Sequence, residues 1–177
     1  MNIKFDPFPV LKTERLTLTS LSFKHEGALF DYQSNKENFP YVDMPIYKSI
    51  DEAKNYIIKM KSGLDQEKWI NWAICLDDDI IGTVSIWNLN HEENKAEVGY
   101  GIFPAYRRHG YMKEALLRVI DYAFDVMELD LIEAYTSPVN IPSTKFLEDC
   151  NFDYIKSEPD PYSNNQIMSL YKKKKSS

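Results

Sequence analysis

Several things this chain lacks narrow what it can be. Of its 177 residues only two are cysteines, Cys75 and Cys150, and no metal-type spacing links them. Two thiols in an acidic chain read as reduced, which points to the cytoplasm. The three histidines, His25, His91 and His109, are scattered; no His-Glu-x-x-His or paired spacing occurs, so a metal site is not expected. No apolar run approaches the ~18 residues of a membrane-spanning helix. The opening Met1–Asp6 has no apolar run either, so no signal peptide is expected. Positive charge is in deficit: 21 Lys and Arg against 27 Asp and Glu give a net charge of −6. That balance disfavours direct nucleic-acid binding and mildly favours a cationic substrate. Gly-x-x-x-x-Gly-Lys-Ser/Thr is absent. Gly99 and Gly101 begin a Gly-x-Gly, but Pro104 stands where its last glycine belongs. Neither cysteine has a recognisable base beside it, so Cys150 reads as a small buried apolar residue.

What is present is a pattern of mixed α and β elements. Thr13–Thr19 alternates as a strand does, and Ser22 caps a helix to about Ser34. Ser49 with Glu52 forms a capping box ahead of Ile50, Ala53, Ile57 and Met60 on one helical face. A hairpin follows, Trp69–Leu76 and Ile80–Trp87 around an Asp77–Asp79 turn; its tryptophans read as core. Asn88–Asn94 reads as a polar connection and Ala96–Phe103 as a strand stopped by Pro104. Leu116, Ile120, Ala123, Phe124 and Met127 define a helix from about Gly110 to Met127. Leu131–Thr136 is a strand, and Pro142 suits the first turn of a short helix ending near Asp149. Phe152–Ser157 and Gln166–Tyr171 close the pattern, and the Lys172–Lys175 run reads as a solvated end. No linker divides the chain, so one α/β (α+β) domain is expected, 1–177 with its core over about 13–171.

The chemistry concentrates where a strand gives way, through a short basic loop, to a long helix: Ile102-Phe103-Pro104-Ala105-Tyr106-Arg107-Arg108-His109-Gly110-Tyr111-Met112. A helix start offers free N–H groups and the positive end of a dipole, a ready seat for phosphate. Gly110 lets a ligand come close to the backbone, and Arg107 and Arg108 add cationic donors. The competing reading of such a loop is an ordinary solvated turn.

Here the residues become specific. Arg107, Gly110 and Met112 resemble the pyrophosphate motif of the GNAT acetyltransferase superfamily, Gln/Arg-x-x-Gly-x-Gly/Ala, with Met112 departing from the small final residue. Thr13-Glu14-Arg15-Leu16, Glu97-Val98-Gly99-Tyr100, Gly110–Ala115, Asn140-Ile141-Pro142-Ser143 and Phe152 resemble the branch that acetylates ribosomal-protein N-termini. The resemblance implies a mixed, mostly antiparallel sheet with helices on both faces. Its two central parallel strands, Ala96–Phe103 and Leu131–Thr136, would splay apart. It also implies acetyl-CoA as cosubstrate. The pantetheine arm would lie in the splay near Tyr100 and Ile102. The pyrophosphate would lie on the backbone from Arg107 through Arg108, His109, Gly110 and Tyr111 to Met112, with Lys113 beside it. Asn140 would bond the pantetheine and Ser143 would lie near the sulfur. The tyrosine acid of many members is replaced by Leu147, a lack which that branch shares. Asn151 stands where a glycine is usual, and asparagine tolerates the left-handed turn. The Pro-containing loop from Tyr41 to Tyr47 lies where the family shapes its acceptor pocket.

A thioester is attacked by a neutral amine, so a base is needed. Glu97 is the candidate, with Glu133 on the partner strand or bulk water as alternatives; Ser143 is the candidate proton donor. Both carboxylates also read as solvated strand residues. The expected activity is direct acetyl transfer to a primary amine, with a protein or peptide N-terminal α-amine favoured. A small-molecule amine (polyamine, amino acid or aminoglycoside) and a catalytically silent CoA-binding module are the rivals. The expected form is a monomer or homodimer without membrane contact.

Overall fold

The computed structural model describes residues 1–162 and 166–175. In chain order the elements are β1 (Leu11–Lys12), β2 (Leu16–Ser20), α1 (Glu26–Gln33), α2 (Ile50–Asp65), β3 (Ile70–Leu76), β4 (Asp79–Asn90), β5 (Lys95–Ile102), α3 (Tyr111–Asp125), β6 (Leu131–Thr136), α4 (Ile141–Asp149), β7 (Asp153–Pro159) and β8 (Ile167–Lys174). The eight strands form one sheet in the order β1-β2-β3-β4-β5-β6-β8-β7. Among the described residues only the β5–β6 pair is parallel. A parallel pair requires a crossover, which α3 supplies.

Two apolar layers sandwich the sheet. On one face Ala96 and Val98 of β5, Ile132 and Ala134 of β6 and Trp72 of β3 pack with α3 and with Leu147 of α4. On the other, Ala73 and Cys75 pack with Leu29 of α1 and with Ala53 and Ile57 of α2. The period of α3 explains its place: Met112, Ala115, Leu116, Val119, Ile120 and Ala123 recur every three or four residues and all are buried. Each fully buried Leu or Ile of that stripe contributes roughly 1.5–3 kcal/mol. The capping box forms as expected: Glu52 Oε2 accepts from the Ser49 N–H at 3.0 Å.

Three segments differ from the sequence reading. Thr13–Arg15 is a hairpin turn, not strand, closed by Thr13 N–H on the Leu16 carbonyl (3.0 Å) and Leu16 N–H on Thr13 Oγ1 (2.9 Å). The β4 strand continues to Asn90, which pairs with Lys95, so Asn88–Asn90 of the expected polar connection are strand and only His91–Asn94 form the turn. The lysine run is also sheet. Lys172–Lys174 pair with β6; Lys172 Nζ lies 2.8 Å from Glu133 Oε1, and Lys173 Nζ donates to the Cys150 carbonyl at 2.9 Å. Long lysine stems cover apolar surface while their heads find these acceptors. Of the tryptophans, Trp72 is fully buried, with its indole N–H on the Pro9 carbonyl, whereas Trp69 and Trp87 are half-buried.

Candidate active site

The site begins where pairing stops. Strands β5 and β6 are registered at Lys95–Leu131, Ala96–Ile132 and Glu97–Glu133, and no further. β5 stays paired to β4 as far as Ile102, and β6 to β8 as far as Thr136. Above the two glutamates the strands diverge, leaving facing edges with main-chain groups available to an extended, amide-bearing ligand.

The C-terminal end of β5 leads through a 3₁₀ turn, Pro104–Tyr106, into the loop before α3. Arg108 (φ 63°) and Gly110 (φ 79°) are both left-handed, and Gly110 is the N-cap of α3. Without a Cβ, Gly110 takes that conformation without strain. The first N–H groups of α3 have no helical acceptor, so they face outward as anion donors. Arg107, Arg108, His109 and Lys113 are exposed around them. The Arg107 guanidinium lies beside the Tyr32 hydroxyl of α1; burial raises that hydroxyl's pKa and the nearby cation partly offsets this. Met112 is buried, so only its backbone is open to a ligand.

Across the splay, Asn140 caps α4 through its side-chain carbonyl, which accepts from the Ser143 N–H at 3.2 Å. Its amide –NH₂ stays available as a donor. Ser143 Oγ lies 3.0 Å from the Tyr100 hydroxyl, and Phe146 packs edge-on against the Tyr100 ring. Burial pushes the Tyr100 pKa far up, so that hydroxyl stays protonated. Leu147 is fully buried in the α3–α4 layer and offers no proton.

Glu97, Gly99 and Gly101 alternate with the core-facing residues of β5 and so look toward the opposite face, the α1–α2 side. Glu97 is 4% exposed. Its Oε1 accepts from Asn88 Nδ2 at 2.6 Å and from the Tyr162 hydroxyl, and Tyr162 packs on Trp87 with centroids 4.8 Å apart. Burial raises the Glu97 pKa, and the two donors only partly counter it. Glu133, at the same register position, is ion-paired instead: Lys172 lies at 2.8 Å and Lys95 at 3.4 Å. Trp87 and Asn88 also line an open cleft of about 440 Å³ with Trp69 and His91. Asn88 and Tyr162 escaped the sequence reading. Asn88 points at Glu97 because of an irregular, positive-φ step in β4 (φ 49°), and Tyr162 is 65 residues away in sequence.

Both cysteines are buried and burial raises both thiol pKa values, so neither is a ready nucleophile. Intact mass spectrometry after incubation with acetyl-CoA alone is expected to find no adduct at Cys75 or Cys150. An acetyl-thioester there that chases into product would establish a two-step route instead. Among the described residues no group of His, Cys, Asp or Glu is arranged to hold a metal.

The family model for the Acetyltransferase (GNAT) domain matches residues 15–153. A Bacillus subtilis protein named uncharacterized N-acetyltransferase YoaA is 29% identical over 174 residues, covering 93% of this chain and 98% of the relative. Among solved structures, a putative ribosomal-protein-serine acetyltransferase from Vibrio cholerae superposes with a TM-score of 0.85 at 23% identity, over 96% of this chain and 99% of the other. The microcin self-immunity acetyltransferase MccE, solved with acetyl-CoA and AMP, superposes with a TM-score of 0.83 at 20% identity, over 92% and 93%.

Proposed function

Because the chain belongs to the GNAT acetyltransferase family and is an N-acetyltransferase, we propose that it moves the acetyl group of acetyl-CoA directly onto a protein or peptide N-terminal α-amine. The observation that carries this reading is Glu97: a buried carboxylate at the apex of the strand splay, hydrogen-bonded but without an ion-pair partner among the described residues. Its rival Glu133 is already neutralised by Lys172 and Lys95.

In this reading the main-chain N–H groups from Arg107 to Met112 hold the pyrophosphate, with Lys113 beside them. The open edges near Tyr100 and Ile102, and the Asn140 amide, hold the pantetheine arm. Acetyl-CoA supplies an activated thioester. Glu97 takes a proton from the incoming ammonium, directly or through one water. An α-amine titrates near ~8 and a lysine near ~10.4, so an N-terminus asks less of a single carboxylate. Ser143, held by the Tyr100 hydroxyl, donates a hydrogen bond to the departing thiolate, which takes its proton from solvent, in place of the tyrosine that Leu147 replaces. Residues 13–171 act as one catalytic unit in the cytoplasm, as a monomer or homodimer.

Thiol release from acetyl-CoA across a panel of acceptors tests the assignment. Peptides beginning with alanine or serine should exceed polyamines, amino acids and aminoglycosides in kcat/KM by at least about tenfold. A preference for a polyamine would move the acceptor to the small-molecule class. CoA binding without thiol release for any amine would leave a silent binding module.

A further inference from the structure

The Thr13–Arg15 turn lies at the far edge of the sequence from α3, yet five hydrogen bonds or ion pairs join it to that helix and its loop. Glu114, in the first turns of α3, receives four of them. Its Oε1 accepts from Thr13 Oγ1 at 2.5 Å and from the Arg15 N–H at 2.9 Å. Its Oε2 accepts from Arg15 Nε at 2.7 Å, with Arg15 Nη2 also at 2.7 Å. The fifth runs from Arg15 Nη1 to the His109 carbonyl at 3.0 Å. The guanidinium also lies 4.5 Å from the centroid of the Tyr111 ring, which stacks on His109. A Cβ on Gly110 would come within 3.4 Å of Arg15 Nη2.

We propose that Arg15 is a positioning residue for the pyrophosphate seat, fixing the His109–Tyr111 segment and neutralising Glu114 beside it. This rests on the reading of Arg107 to Lys113 as that seat. An isolated surface ion pair contributes little. In this one two guanidinium nitrogens converge on a single carboxylate oxygen, Oε2, while Oε1 takes two further donors and Nη1 ties down a main-chain carbonyl inside the loop, so it fixes geometry as well as charge. Charge matters separately. An unpaired carboxylate near the start of a helix opposes a second anion at the same N-terminus. The donors respond to that charge: burial alone would lift the Glu114 pKa, but the bonds from Thr13 and Arg15 outweigh it and hold the group ionised. Lysine is no substitute, because an ammonium cannot present the planar fork to Oε2 and reach the His109 carbonyl together.

The test compares two ligands that differ in the pyrophosphate. CoA titrations and steady-state kinetics are run on wild type, Arg15→Met and Arg15→Lys, with acetyl-CoA and with S-acetylpantetheine, which lacks pyrophosphate and nucleotide. Arg15→Met is expected to weaken CoA at least about tenfold, with the loss carried by the KM for acetyl-CoA. Its kcat/KM for S-acetylpantetheine should stay within about twofold of wild type. Arg15→Lys, which keeps the charge and is the variant to read if Arg15→Met does not fold, should show an intermediate loss confined to the acetyl-CoA arm. Equal losses on both thioesters, or unchanged CoA affinity in either folded variant, would overturn the proposal. If wild type itself binds CoA no better than pantetheine, the seat itself is misassigned, a failure distinct from that of Arg15.

Discussion

Gly110→Asp is expected to weaken CoA binding by at least about tenfold, or about 1.4 kcal/mol, in isothermal titration. Gly110 is the left-handed N-cap of α3. Aspartate tolerates the left-handed conformation better than most residues, so the helix should persist. The damage comes from charge. The carboxylate would occupy the positive end of α3 and compete with the pyrophosphate for the same N–H groups. It would also lie close to Arg15 Nη2, which is 3.4 Å from where the Cβ would be. Gly110→Asn has nearly the same size without the charge and should lose much less. Unchanged CoA affinity in folded Gly110→Asp would remove the cofactor assignment.

Glu97→Gln and Ser143→Ala carry the second large effect. Removing a positioned acid or base typically costs ~10²–10⁴ in rate. Glu97→Gln should lower kcat/KM on that scale while CoA affinity stays nearly constant, and the loss should shrink as pH rises above the pKa of the amine. Ser143→Ala should lower kcat at all pH values, since the need for a donor at sulfur does not titrate with the acceptor. Stability should move the other way for Glu97. Its folded pKa is raised, chiefly by burial, so its ionised form is disfavoured in the folded state. That penalty is absent below the unfolded carboxylate pKa of about 4.3 and grows as pH rises through the folded value. Glu97→Gln should therefore raise the unfolding midpoint at pH 7 and lose that advantage in acid. Full activity of Glu97→Gln at pH 7 on the true acceptor would pass the base role to Glu133 or water.

The contrast between Glu97 and Glu133 shows where sequence reading stops. Both lie at equivalent places on parallel strands, and nothing in the sequence says which is free. The difference lies in Lys95 and Lys172, and Lys172 belongs to a run that its composition presents as a solvated tail. The structure of the junction before α3 is legible because it is contiguous: strand end, Pro104, basic loop, left-handed glycine and helix start follow within a dozen residues, and local chemistry determines local structure. The stripe of α3 and the Ser49–Glu52 box were legible for the same reason. The rest of the site joins distant residues. Tyr162 reaches Glu97 across 65 positions and Tyr100 meets Ser143 across 43, contacts set by strand order and the return of α4 over the sheet. Thr13-Glu14-Arg15-Leu16 is a case between the two. Its motif was visible, but its placement as a turn gripping Glu114 depends on packing between β1, β2 and α3.

A crystal structure with CoA and a peptide beginning with alanine or serine tests the site most directly. The expected result places pyrophosphate oxygens within hydrogen-bond distance of the N–H groups between Arg107 and Lys113. The pantetheine should lie between β5 and β6 above Glu97 and Glu133, the sulfur beside Ser143 and the peptide amine on the Glu97 side. Pyrophosphate bound away from the α3 N-terminus, or an amine held on the far side of the sheet from Glu97, is incompatible with the proposed site.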